Sequence, residues 1–166
     1  MGMKNLMTAI ILFMPAALFA ADGPVALGPN QGKFGDWTAA TYGSGTAKAC
    51  YAFTTATHSD PDLPGRGQVM LTVTDRAGAR DEVTLSAGYI YPPKAVVQLT
   101  VGDAKIDFYT SGENAFTTDG TAAIAAFKNG SAAEAKSSAP HDRKVKDEFS
   151  LSGFSGAYGA IAAACP

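Results

Sequence analysis

The chain has 166 residues, of which 46% are hydrophobic and 17% charged, with a formal net charge of −2. That length suits one domain, and that apolar content excludes a disordered chain. There is no basic excess to neutralise phosphates, so no nucleic acid partner is expected.

Lys4 precedes the apolar run "LMTAIILFMPAALFA" at residues 6–20. A positive charge, a short apolar stretch and small residues form the pattern of a secretory signal peptide, here over residues 1–21 with cleavage after Ala20 or Ala21. The run is interrupted by Pro15 and falls short of the roughly 20 apolar residues of a membrane span. An uncleaved anchor is the alternative. The expected location is therefore periplasmic or secreted, with no stable membrane span after cleavage. Residues 22–33, "DGPVALGPNQGK", are rich in Gly and Pro and predict a flexible N-terminal segment. Residues 34–166 then read as a single β-rich domain.

Within that domain, "FGDWTAATYG" (34–43) predicts a first strand anchored by Phe34, Trp37 and Tyr42, and "AKACYAFTTAT" (47–57) a second. "HSDPDLPGRG" (58–67) has loop composition. "QVMLTVTD" (68–75) alternates Val69, Leu71 and Val73 against Met70, Thr72 and Thr74. "DEVTLSAGYIY" (81–91) alternates likewise through Val83, Leu85, Ala87 and Tyr89, so both predict half-buried strands joined in a hairpin. In "AVVQLTVGDAKIDFYT" (95–110), Gly102 and Asp103 separate two more apolar runs as a tight hairpin turn.

The period changes at "DGTAAIAAFKNG" (119–130), where Asp119 starts a helix and Asn129-Gly130 ends it. Residues 132–139 and 144–153 predict another hairpin around the charged tip 140–144. From Phe154 onward, Phe154, Tyr158, Ile161 and Cys165 are spaced 4, 3 and 4, which is one stripe of a helix. The fold class expected is mainly β: an antiparallel β-sandwich or open barrel of roughly seven or eight strands with two short α-helices, one of them C-terminal.

Cys50 and Cys165 are the two cysteines. In an oxidising compartment an even pair is expected to form a disulfide, against the alternative of two buried thiols. They lack the close paired spacing of a zinc site, and no metal or cofactor is expected. The disulfide would clamp the last helix onto the strand that carries Cys50.

His58, Asp60 and Asp62 alternate in the loop and would form a metal site if His141 joined them. Pro61 and Pro64 beside them favour a solvated loop instead. Ser155 stands near a helix start with no nucleophile-elbow motif around it, so no catalytic residue is assigned. Trp37 either lines a ligand cleft or anchors the core. Tyr89 and Tyr91 precede Pro92-Pro93 and either pack a strand or form an exposed aromatic edge. Trp37, Tyr89 and Tyr91 are thus the candidate ligand or partner surface. "HDRKVKDE" (141–148) balances its charges and reads as a solvated tip.

Four stretches carry a family resemblance: "FGDWTAATY" (34–42), "CYAFTTATHSDP" (50–61), "DEVTLSAGY" (81–89) and "DEFSLSGFSGAYGAIAAAC" (147–165). In these the chain resembles the invasion-associated locus B family of exported bacterial proteins. The resemblance implies a periplasmic or surface-associated β-rich domain. The family is named for host-cell invasion in one lineage, and many related chains occur in bacteria with no invasive habit. Some members carry a further Cys soon after the Trp. This chain has Thr41-Tyr42 there, so no second disulfide is expected. The resemblance brings no catalytic residues with it. The function expected is a non-catalytic binding or interaction module with a protein or envelope component as partner. A carrier of a small apolar ligand and a protease inhibitor acting through residues 22–33 are the alternatives.

Overall fold

Alternation of apolar and polar residues at period two puts one face of each strand inward, and here it does so around a single curved sheet. The structure, a computed structural model, describes residues 23–166. The expected signal peptide lies outside the described residues. The strands are β1 (Val25–Ala26), β2 (Lys33–Phe34), β3 (Trp37–Tyr42), β4 (Ala49–Thr55), β5 (His58–Asp60) and β6 (Met70–Arg76). They continue with β7 (Ala79–Ser86), β8 (Val96–Val101), β9 (Ala104–Ser111), β10 (Asn114–Thr117), β11 (Ala132–Ala139) and β12 (Arg143–Ser150). Four helical pieces interrupt them: the single turn α1 (Pro29–Gly32), a 3-10 turn (Gly45–Ala47), α2 (Gly120–Asn129) and α3 (Phe154–Ala164).

The strands form one antiparallel sheet in the order β1-β3-β4-β6-β7-β10-β9-β8-β11-β12-β5, with β2 also beside β3. The sheet is not closed, because its end strands β1 and β5 do not pair. Its two ends nevertheless meet. β4 runs into β5 through Ala56 and Thr57, and the Thr57 N–H donates to the Glu148 carbonyl on β12 at 2.7 Å. This is the open barrel expected from the hairpin-length connections.

The predicted hairpins are present, and Gly102 takes φ 56 in the β8–β9 turn. Elsewhere the structure departs from the reading of the sequence. The strand expected over 81–91 stops at Ser86. Gly88 bends the chain at φ 71 and its carbonyl accepts from the Gly67 N–H at 2.9 Å, so Tyr89 and Tyr91 belong to a loop. Residues 58–60, expected in a loop, pair with β12 as β5. In the 22–33 segment, expected to be flexible, Val25, Ala26 and Lys33 instead pair with β3 as parts of β1 and β2.

Inward residues of the sheet pack on α2 and α3. Trp37 is fully buried, its indole N–H donating to the Ser150 carbonyl at 3.0 Å. Its ring meets Phe154 edge-on at 4.8 Å, and Phe154 meets Phe127 edge-on at 5.2 Å. Aromatic pairs in this geometry add about 0.5–1.5 kcal/mol beyond area burial. The Asp119 carboxylate caps α2 by accepting from the Ala122 N–H at 2.9 Å. Gly153 starts α3 at φ 87 against the Phe34 backbone, a position with no room for a Cβ.

α3 buries Phe154, Ala157 and Ile161, and the half-buried Tyr158 and Cys165 extend the stripe. Cys165 is joined to Cys50 of β4 across a Cα–Cα distance of 6.0 Å and a sequence separation of 115. Cations meet the open carbonyls at the end of α3. Lys48 Nζ donates to the Ala164 carbonyl at 2.8 Å, and Arg80 Nη1 to that of Cys165 at 2.9 Å. Arg80 also reaches the fully buried Asp75 at 3.1 Å, directly across from Cys50 in the β4–β6 register. The Tyr158 hydroxyl donates to Asp81 Oδ1 at 2.7 Å. Desolvation first, and that hydrogen bond second, push its pKa up to about 12.

Two outcomes are expected. Cys165→Ser should lose up to about 4–5 kcal/mol of stability in non-reducing buffer. In reductant its melting temperature should match that of the unmutated protein. Because unfolded tyrosine ionises near pH 10, unfolding releases the Tyr158 proton above that pH. The stability that Tyr158 contributes is therefore fully present below about pH 10 and is lost as pH rises through 12. Tyr158→Phe should shallow that fall in urea titrations taken across this range.

Candidate functional site

The three aromatic candidates do not share a surface. Trp37 is in the core, which corrects the cleft reading. Tyr91 is buried and Tyr89 half-buried, their rings edge-on at 5.4 Å, so the exposed aromatic edge is corrected as well. The bend at Gly88 turns both inward. His58 and Asp60 stand exposed on β5, Asp62 follows in the loop, and His141 stands at the β11–β12 tip. Among the described residues no set of three His, Cys, Asp or Glu is arranged to hold a metal ion. Ser155 is exposed in the first turn of α3, whose N-cap is Gly153.

The two tyrosines instead surround a buried ion pair. Arg66, from the loop after β5, meets Asp147 of β12 with both ends of its guanidinium, at 2.8 Å each. The two side chains are 5% and 1% exposed. Arg66 Nε donates to the Ala87 carbonyl at 2.7 Å, and Ser59 Oγ to Asp147 Oδ1 at 2.7 Å. The guanidinium lies 4.9 Å over the Tyr89 ring, whose hydroxyl shares a 2.8 Å hydrogen bond with Ser137 Oγ. The Tyr91 hydroxyl, alone in this group, has no partner among the described residues. Burial raises the pKa of both tyrosines.

Residues 141–144 are exposed, as a solvated tip requires, but the cluster corrects that reading for 145–148, where Val145 and Asp147 point inward in phase with Phe149. One signal for it was present in the sequence: Asp147 stands in phase with two apolar residues. Arg66 carried none, since it lies 81 residues away in a loop.

Beside the cluster, an open groove of about 440 Å³ runs over β8, β11, β12 and β5. Asp60, Val96, Lys136, Ser138, Lys144 and Lys146 border it, and it reaches Ser137 of the cluster. Lys136 stands directly opposite Lys146, and Glu134 opposite Glu148. Like charges so placed repel, and contacts to opposite charges along each strand and across one diagonal offset this. Glu134 bridges Lys136 at 3.0 Å and Lys146 at 3.5 Å, while Lys146 reaches Glu148 at 2.8 Å. The Lys136 hydrogen bond, ahead of the other causes, lowers the Glu134 pKa, and the Glu148 hydrogen bond leads in raising that of Lys146. Lys144 has no ion-pair partner among the described residues and donates to Ser138 Oγ at 2.7 Å. The groove thus offers one unneutralised ammonium, hydroxyls and an apolar side chain at Val96.

A family model described as "Invasion associated locus B (IalB) protein" matches residues 37–162, from the start of β3 into α3. The crystal structure of invasion associated protein B from Bartonella henselae is similar with a TM-score of 0.58 and 20% sequence identity. The match covers 80% of this chain and 95% of that one, and at this identity it speaks to the fold. Comparison with curated proteins gave no match.

Removing one partner of a buried ion pair strands the other charge. Arg66→Ala should therefore cost about 3–5 kcal/mol in denaturant unfolding. The double variant Arg66→Met/Asp147→Leu should regain most of that loss. Equal losses in the two would show that the cost lies in packing and not in charge.

Proposed function

The chain belongs to the invasion-associated locus B family, and on that premise we propose that it is an exported, non-catalytic binding module of the bacterial cell envelope. The leader pattern around Lys4 supports export, as does the Cys50–Cys165 bond, because disulfides persist in oxidising compartments. Among the described residues no helix is long and apolar enough to cross a membrane.

One observation carries the binding reading: the 440 Å³ groove with Lys144 at its border, lined in part by β12, the strand that carries Asp147 of the buried ion pair. Its size falls in the range of ligand clefts, about 300–1,000 Å³. Preformed walls lower the ordering cost of binding. The apolar-carrier reading gains no such support, because Trp37, Phe127 and Phe154 fill the space between sheet and helices. The inhibitor reading needs a protruding N-terminal loop, and β1 and β2 fasten that segment to β3.

A photo-crosslinking residue at Ser138, expressed in the native envelope, should yield a discrete adduct. Lys144→Glu should abolish it without moving the melting temperature, as Lys144 is exposed. No adduct, or one indifferent to Lys144, would remove the groove from consideration. Intact-mass measurement of the exported protein should find residues 1–20 or 1–21 missing and no alkylatable thiol. A retained leader or two alkylated cysteines would overturn the export reading.

A further inference from the structure

The strand registers align a row of outward side chains across six neighbouring strands, from β4 to the groove's edge at β8. Phe53 faces Thr72, Thr72 faces Thr84, Thr84 faces Phe116, Phe116 faces Tyr109, and Tyr109 faces Val96. A second row beside it joins Thr55, Met70, Ser86, Asn114 and Ser111 in the same way. Neither row holds a charged residue. Ring pairs stand at two places along the face. Tyr51 stacks with Phe53 at 6.2 Å, and Tyr109 with Phe116 at 5.6 Å, each inclined by 29°. Between them lie three strand spacings, about 14 Å, lined by Thr72 and Thr84. Tyr109 is 56% exposed and Val96 61%.

We propose that this outer face is a stacking platform for an extended, uncharged polysaccharide chain. Ring faces of Phe, Tyr and Trp take up the apolar C–H face of a sugar ring, and tyrosine keeps a polar tip for its hydroxyls. Threonine and serine hydroxyls between the rings both donate and accept, as a polyhydroxylated ligand requires. The other partner classes fit less well. Nucleic acid and anionic lipid surfaces need Lys or Arg, which the rows lack. Protein interfaces concentrate their binding energy in residues other than Ser and Thr, which dominate here between the rings. The proposal rests on the binding-module reading but uses a different surface from the groove, touching it at Val96.

The test is mobility of the mature, oxidised protein in native gels cast with hydroxyethylcellulose, laminarin or soluble starch. These present β-1,4-, β-1,3- and α-1,4-linked glucans. Retardation is expected in at least one gel, with the apparent association constant reduced about tenfold by Tyr109→Ala or by Phe53→Ala. Phe53 stands five strands from Val96, so its variant reports on the platform alone. No retardation in any gel, or equal retardation of the variants, would overturn the proposal. A concentration-dependent dimer in sedimentation that Tyr109→Lys dissociates would also overturn it, assigning the face to self-association. The crosslinking adduct at Ser138 decides the groove separately, so either reading can fail alone.

Discussion

The covalent bond between Cys50 and Cys165 ties the last helix to one of the earliest strands, and much of the interior is arranged around that tie. α3 is eleven residues long and contains Gly156 and Gly159, so by itself it would be marginal in water. Three things compensate. Its apolar stripe packs on Trp37, its final carbonyls receive Lys48 and Arg80, and its end is held by sulphur. Asp75, fully buried opposite Cys50, is acceptable there because Arg80 and the Asp81 N–H satisfy it. The helix end, the bond and this polar network therefore support one another.

The barrel interior is unequal from end to end. One end holds Trp37, Phe127 and Phe154 with the two helices. The other has no helix and is closed by Arg66, Asp147 and two tyrosines under a loop. Replacing apolar packing with an ion pair rarely adds stability in itself, since desolvation offsets attraction. What it supplies here is position. A guanidinium held by three acceptors and a ring fixes the loop from β5 to β6 in one place, and that loop brings Pro61 to the edge of the groove.

Much of the fold was legible because most long strands are half-buried, so their period of two is written in the residues. Leu71, Val73, Val83 and Leu85 show it plainly, as do the Gly102 turn, the Asp119 cap and the cysteine pair. Strands of two to four residues have no period to read, and β1, β2, β5 and β10 went unseen for that reason. The candidate site was less legible still. Tyr89 and Tyr91 continue an alternation that a positive φ at Gly88 ends, so their direction could not be inferred from spacing. The Arg66–Asp147 pair is set by tertiary placement, and the outer-face row exists only once six strands have found their registers.

The edges of the sheet carry a consequence of their own. An unpaired strand edge is a template on which another chain can continue the ladder. Here one rim is covered by β1 and β2, two residues each, and the other is β5, three residues long and followed at once by Pro61. A large unclosed sheet thus ends at both rims in strands of two or three residues, which offer a stray segment little backbone to zip onto. Rims this short disfavour the edge-to-edge addition of a further strand.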